Sequence, residues 1–178
     1  MILNTNNTFY IKSNYGIYTI IQDSTKNNPK LLLLSNIIKN MYLLKKHLID
    51  NINNFEEYKE YIKLLDINFN EKRTYIYETD ITNSDNLTSF SVNKGEELSI
   101  CLKSKKNKGE LHNINLLMYV VIHEMAHFAC PEIGHGVLFQ KIFKKFIEES
   151  IKIEIYKYDD YTKFPQEYCG ILLNSSIV

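Results

Sequence analysis

Two histidines four residues apart, with a glutamate beside the first, are the residues of this chain best placed to do chemistry: His123-Glu124-Met125-Ala126-His127. An α-helix turns once in about 3.6 residues, so His123 and His127 lie one above the other on one face. From that face two imidazoles reach a single zinc ion at about 2.0–2.1 Å. Glu124 sits beside such an ion rather than on it, placed to take a proton from water. One more ligand completes an open, catalytic kind of site. His135 follows after Pro131 has ended the helix, and Gly134 and Gly136 permit the close approach that a third ligand needs. Glu148, on the following helix, and Cys101, on a preceding strand, are the competing third ligands.

The alternative is a buried helix that carries two histidines and a glutamate by chance. Leaving those three side chains unpaired in so apolar a helix costs several kcal/mol, whereas a metal gives the imidazoles a reason to be there. With a metal in place the pattern reads as a zinc peptidase. Glu124 takes a proton from the attacking water and returns it to the leaving amine. A tyrosine often assists such a reaction, and Tyr156, Tyr158, Tyr161 and Tyr168 all follow the motif. Asp159 or Asp160 can serve as hydrogen-bond partner to a ligand imidazole, although a turn position suits either as well. His47 and His112 have no partner at ligand spacing, which predicts a surface histidine and a loop histidine.

The elements that must position these residues follow from periodicity. Residues 8–22 are β-branched and aromatic around Gly16, predicting a hairpin or one bent strand. Pro29 opens a helix whose apolar stripe is Leu34, Ile37, Ile38, Met41, Leu44 and Leu48. Asn54 with Glu57 predicts a second helix start, running to about Leu65. Arg73–Thr79 and Glu97–Lys103 alternate like strands, with the polar run Asp80–Asn86 as a loop between them. Asn113 caps a helix that is apolar nearly all round and ends at Pro131, so this helix is expected to be central and buried. Val137, Leu138, Phe139, Ile142, Phe143, Phe146 and Ile147 form the stripe of the next helix, and Ile151–Tyr158 reads as a short strand.

Composition bounds the rest. At 178 residues, 44% hydrophobic and 24% charged, the chain suits a single globular domain over 1–178 rather than a disordered segment. A formal net charge of zero gives no global electrostatic case for a nucleic-acid partner. Lys103, Lys105, Lys106 and Lys108 make a short basic cluster that reads first as a solvated turn. Cys101, Cys130 and Cys169 include no C-x-x-C pair, so neither a disulfide framework nor a zinc ribbon is indicated. No apolar run approaches the roughly 18 residues of a membrane span. The start of the chain does not resemble a signal peptide, so a reducing, intracellular setting is expected.

The residues His123-Glu-Met-Ala-His127 followed by Gly134-His135-Gly136-Val-Leu-Phe139 resemble the SprT-like and WLM-type zinc metallopeptidases. A longer pattern is similar to WLM-domain metallopeptidases encoded by large DNA viruses. It runs from Ser91-Val-Asn-Lys-Gly-Glu96 through Ile100-Cys-Leu-Lys103 and the helix to Tyr156-Lys-Tyr158 and Glu167-Tyr-Cys-Gly170. The resemblance covers roughly residues 75–178. It implies an α+β, minimal zincin-like domain, with a small, mainly antiparallel sheet, flanking helices and a buried active-site helix. It implies His123, His127 and His135 as ligands of one Zn2+, Glu124 as base, and a sheet edge that holds an extended protein or peptide substrate. A host cytoplasm or nucleus would be its setting. Cellular members degrade proteins crosslinked to DNA, so nucleic acid enters as a partner through the resemblance alone. Residues 71–178 are then the catalytic core, and residues 1–70 contribute a strand and helices without a counterpart in it.

Overall fold

The apolar stripes and alternating runs fold into four helices packed with a mixed sheet, an α+β arrangement. The computed structural model describes residues 2–5, 8–21, 27–81 and 88–177. Three strands, β1 (Ile2–Thr5), β2 (Thr8–Ser13) and β3 (Gly16–Ile21), form an antiparallel meander. Helices α1 (Asn27–Asp50) and α2 (Lys59–Asn68) follow, then β4 (Tyr75–Glu78), β5 (Phe90–Val92) and β6 (Glu97–Ile100). The sheet order is β1-β2-β3-β4-β6-β5. Helices α3 (Ile114–Ala129) and α4 (Val137–Lys152) come next, and a separate hairpin, β7 (Gln166–Tyr168) with β8 (Ile171–Leu173), ends the chain.

The sheet is mixed where a mainly antiparallel one was expected. β4 runs parallel to β3, because the long excursion through α1 and α2 returns the chain in the same direction. It is also parallel to β6, which the chain reaches only after passing through β5 on the far side of β6. Part of the polar run read as a loop, residues 82–86, lies outside the described residues. The expected stripe of α1 is realised: Leu34, Ile37, Ile38, Met41, Leu44 and Leu48 are all buried. Its face packs against α3, as does α2.

Three expectations are corrected. Asn54 does not cap a helix, because residues 52–54 and 56–58 make short 3-10 turns, with Tyr58 N–H donating to the Phe55 carbonyl at 2.8 Å, and α2 starts only at Lys59. Residues 151–158 are not a strand. α4 continues to Lys152, and the Ile155 and Tyr156 amides turn back onto the Ser150 carbonyl at 3.1 and 3.4 Å. Finally, Cys101 and Cys169 form a disulfide across 68 residues, with Cα atoms 6.2 Å apart. Spacing did not suggest it, since only the fold lays the β7–β8 hairpin over the end of β6. Cys130 stays free and buried.

His47, read as a surface histidine, belongs to a clasp between α1 and α4. Its Nε2 lies 2.8 Å from Glu149 Oε2, while Lys145 and Lys152 reach Oε1 at 2.7 and 2.6 Å. Glu149 is only 1% exposed. Burial pushes its carboxyl up, but the hydrogen bonds from His47, Lys145 and Lys152 outweigh that and hold its pKa at about 2. A carboxylate depressed from 4.5 to about 2 contributes stability that is present above about 4.5 and lost as pH falls towards 2. We expect Glu149→Gln to cost on the order of 3 kcal/mol at pH 7 and to flatten the acid limb of a urea-unfolding series across that window. In the same assay, replacing Cys101 and Cys169 together by serine is expected to cost about 2–4 kcal/mol, a loss that added reductant reproduces in the unmodified chain.

Candidate metal centre

Helix α3 is buried along most of its length, and its entry is set by Asn113, whose side chain accepts a hydrogen bond from the Asn115 amide at 2.7 Å. Leu117, Val121, Ile122, Met125 and Phe128 are fully enclosed, which fixes the helix and turns His123 and His127 to one side. Both histidines are half-buried, and His135, on the exposed loop after Pro131, joins them. The three Nε2 atoms converge: His123 to His127 is 3.1 Å, His127 to His135 3.0 Å and His135 to His123 3.1 Å. Such a triangle leaves room for an ion about 2.0–2.1 Å from each nitrogen. Three neutral imidazoles brought this close cannot all satisfy one another by hydrogen bonds, because each offers one donor and one acceptor on opposite sides of its ring. The cluster therefore fits a metal ion better than it fits itself.

The surroundings keep these nitrogens ready to bind. Burial, reinforced by His127 and His135, brings His123 down to a pKa of about 3. Burial, then His135 and Lys94, brings His127 to about 4. Both are neutral across the ordinary pH range, the form in which an imidazole binds a metal. Phe139, in the first turn of α4, packs on all three rings, stacking on His127 with centroids 4.2 Å apart. Glu148 is not part of the cluster. Cys101 is excluded by its disulfide.

Glu124 sits next to the cluster, and burial raises its carboxyl to about 7, partly opposed by a 2.9 Å hydrogen bond from Ser91 Oγ. Ser91 lies on β5, the edge strand of the sheet. From the turn after it, Lys94 Nζ donates to the carbonyls of Cys130 and Pro131 at 2.7 and 2.8 Å, closing the C-terminal end of α3 where the chain departs towards His135. That turn is tight. Asn93, Lys94 and Gly95 are left-handed at φ 48°, 50° and 104°, and a Cβ on Gly95 would approach the Asn68 carbonyl oxygen to 2.4 Å. Ser91 and Lys94 lie in the Ser91–Glu96 stretch that carries the resemblance, but the sequence assigns neither a role, because nothing in the spacing relates β5 and its turn to a helix some thirty positions on.

The tyrosines separate by location. Tyr168 is buried and lines a cleft of about 180 Å³ that also touches His123 and Glu124. Its hydroxyl is held by Ser89 and its pKa is raised by burial. Tyr156 packs instead with Tyr119 in the core, and Tyr158, 43% exposed, lines a groove of about 730 Å³ with Ile114 and Asn115. Tyr161 is enclosed beside Tyr119. Asp159 accepts from Asn115 and Asp160 from Thr162, so neither supports an imidazole. His112 lies in the loop before α3, as expected, but is buried there and accepts the Cys169 amide at Nε2. Lys106 and Lys108 are exposed on the turn after β6.

The fold is WLM-like. It superposes on the crystal structure of Wss1 from Saccharomyces cerevisiae with a TM-score of 0.55 at 18% identity, over 76% of this chain and 87% of that one. A mutant of the same yeast protein gives 0.53 at 17% identity, over 76% and 88%. No family model matches the chain. An uncharacterized protein of Acanthamoeba polyphaga mimivirus is 40% identical over 170 residues, 95% of this chain and 84% of the relative. An uncharacterized protein of Invertebrate iridescent virus 6 is 35% identical over 82 residues, 46% of this chain and 44% of its own length. This chain belongs to the family of that mimivirus protein, a family of viral proteins. Among the described residues no helix is long and apolar enough to cross a membrane.

If Lys94 holds the path from α3 to His135, Lys94→Met should weaken metal binding about tenfold or more, measured with zinc by chelator competition, while Lys94→Arg keeps most of it. In a His135→Ala background the same substitution should cost little further.

Proposed function

We propose that the chain is a zinc-dependent metallopeptidase that hydrolyses peptide bonds in protein substrates. The observation that carries this reading is the convergence of His123, His127 and His135 beside a carboxylate, Glu124, that is oriented by Ser91 and does not itself join the triad. A purely structural zinc site has no use for an adjacent base. A zinc ion held by the three histidines supplies Lewis acidity, acidifying water and polarising a carbonyl. Glu124, with a pKa near 7, takes the proton of the attacking water and delivers it to the leaving amine. Tyr168 is the tyrosine placed to donate to charge developing on the substrate oxygen, once its hydroxyl turns from Ser89.

The substrate lies extended along β5. Among the described residues β5 pairs only with β6 and forms one edge of the sheet, and strand addition there brings a peptide backbone beside Ser91 and Glu124. Residues 71–178 form the catalytic core in this reading, and residues 1–70 brace it, with β3 extending the sheet and α1 and α2 packed on α3. The resemblance to SprT-like and WLM-type peptidases extends the reading to proteins associated with or crosslinked to DNA.

The experiment is a peptidase assay on the zinc-loaded chain with Glu124→Gln as control. The variant should retain zinc and lose at least about a hundredfold in rate, as removal of a general base does. Equal rates in the two proteins would sink the mechanism. Bound zinc with no turnover in either would favour a zinc-binding interaction protein. His135→Ala should lose zinc outright or bind it far more weakly, which a metal assay reads directly.

A further inference from the structure

Tyr119 and Val120 lie one helical turn before His123 and Glu124 on the same face of α3, and together they line the cleft of about 180 Å³ described above. Its facing wall is the β7–β8 hairpin, which contributes Tyr168, Ile171 and Leu173. The volume is well below the roughly 300–1,000 Å³ of clefts that take whole small molecules. It suits one side chain. The polar groups at its edge are already committed, Ser89 to the Tyr168 hydroxyl and the Cys101 amide, and Glu124 to Ser91. Among the described residues no lysine or arginine lines it.

The wall is built in place rather than free to drift. The disulfide from Cys169 to Cys101 ties the tip of the hairpin to the end of β6. The Cys169 amide donates to His112 Nε2 at 3.1 Å, and Glu167 accepts from Ser104 Oγ at 2.7 Å and from the Lys105 amide at 3.3 Å. Yet Ile171 remains 47% exposed at the mouth, an apolar side chain left towards solvent beside the metal ligands.

We infer that this cleft is a subsite for one medium-sized apolar side chain, that of leucine, isoleucine, methionine or phenylalanine, carried by the substrate residue flanking the bond to be cleaved. Ile171 and Leu173 set the selection. The inference rests on the peptidase reading for the bond concerned, but the chemistry of the cleft stands without it. An acidic side chain would lose its water there and meet the Glu124 carboxylate rather than a counter-ion.

The zinc-loaded full chain, carbon-13 labelled at isoleucine and leucine methyl groups, would be titrated with N-acetyl-leucine amide and with N-acetyl-aspartate amide. Saturable shifts at Ile171 and Leu173, with the leucine amide binding about tenfold or more tighter, are expected. Ile171→Ser should weaken the leucine amide about threefold or more at unchanged melting temperature. Equal affinities, or shifts that bypass Ile171 and Leu173, overturn the subsite. A peptide library then separates the two readings. Cleavage enriched for apolar residues at one position flanking the bond supports the subsite, and cleavage with a flat or charged profile overturns it. No cleavage alongside selective methyl shifts upholds the subsite and overturns the peptidase reading.

Discussion

Everything at the centre of this protein follows from enclosing α3. A helix buried on nearly all sides has no freedom to rotate, so the one face carrying His123 and His127 is presented at a fixed angle. The same burial removes the water that would otherwise stabilise charge, which keeps both imidazoles neutral and pushes Glu124 towards neutrality as well. Three basic nitrogens and one reluctant carboxylate in such a place are unstable company for one another. A divalent ion resolves that conflict, since it accepts all three lone pairs at once and favours the ionised form of a nearby carboxylate.

The β5–β6 hairpin is the second organiser. Through Ser91 it reaches the carboxylate of Glu124, and through Lys94 it reaches the carbonyls at the end of α3, so one short turn addresses both Glu124 and the path of the chain towards His135. The left-handed run at Asn93, Lys94 and Gly95 makes this reach geometrically available. Asn68 completes the arrangement by donating to the Phe128 carbonyl at 2.8 Å, which links α2 to the same helix end. The N-terminal part of the chain is thereby coupled to the cluster of His123, His127 and His135 by packing and hydrogen bonds, although none of its described residues joins that cluster.

The C-terminal hairpin works differently. Among the described residues it pairs with no strand of the main sheet, and its position depends on a covalent tie, a buried histidine and a few side-chain contacts with the turn after β6. A two-stranded ribbon alone is marginal in water, so these tethers are what make it a wall. His112 and Cys101, which by sequence looked like a loop histidine and a candidate ligand, are spent on holding that wall.

What the sequence determined by itself was local and periodic. The four-residue spacing of His123 and His127 defines a shared helical face whatever surrounds it, and the apolar stripes of α1, α3 and, apart from the exposed Val137 at its start, α4 could be read because helical geometry repeats every few residues. His135 was legible as well, since Pro131 and the flanking glycines bend the chain back within a short stretch. Tertiary structure alone decided the long-range pairings: the parallel neighbours of β4, Ser91 on Glu124, Lys94 on the end of α3, Tyr168 rather than Tyr156 or Tyr158 beside the metal centre, and Cys101 with Cys169. None of these has a period or a fixed spacing. Each exists because distant segments bury apolar surface together, and that burial, summed over the whole chain, is not written in any one stretch of it.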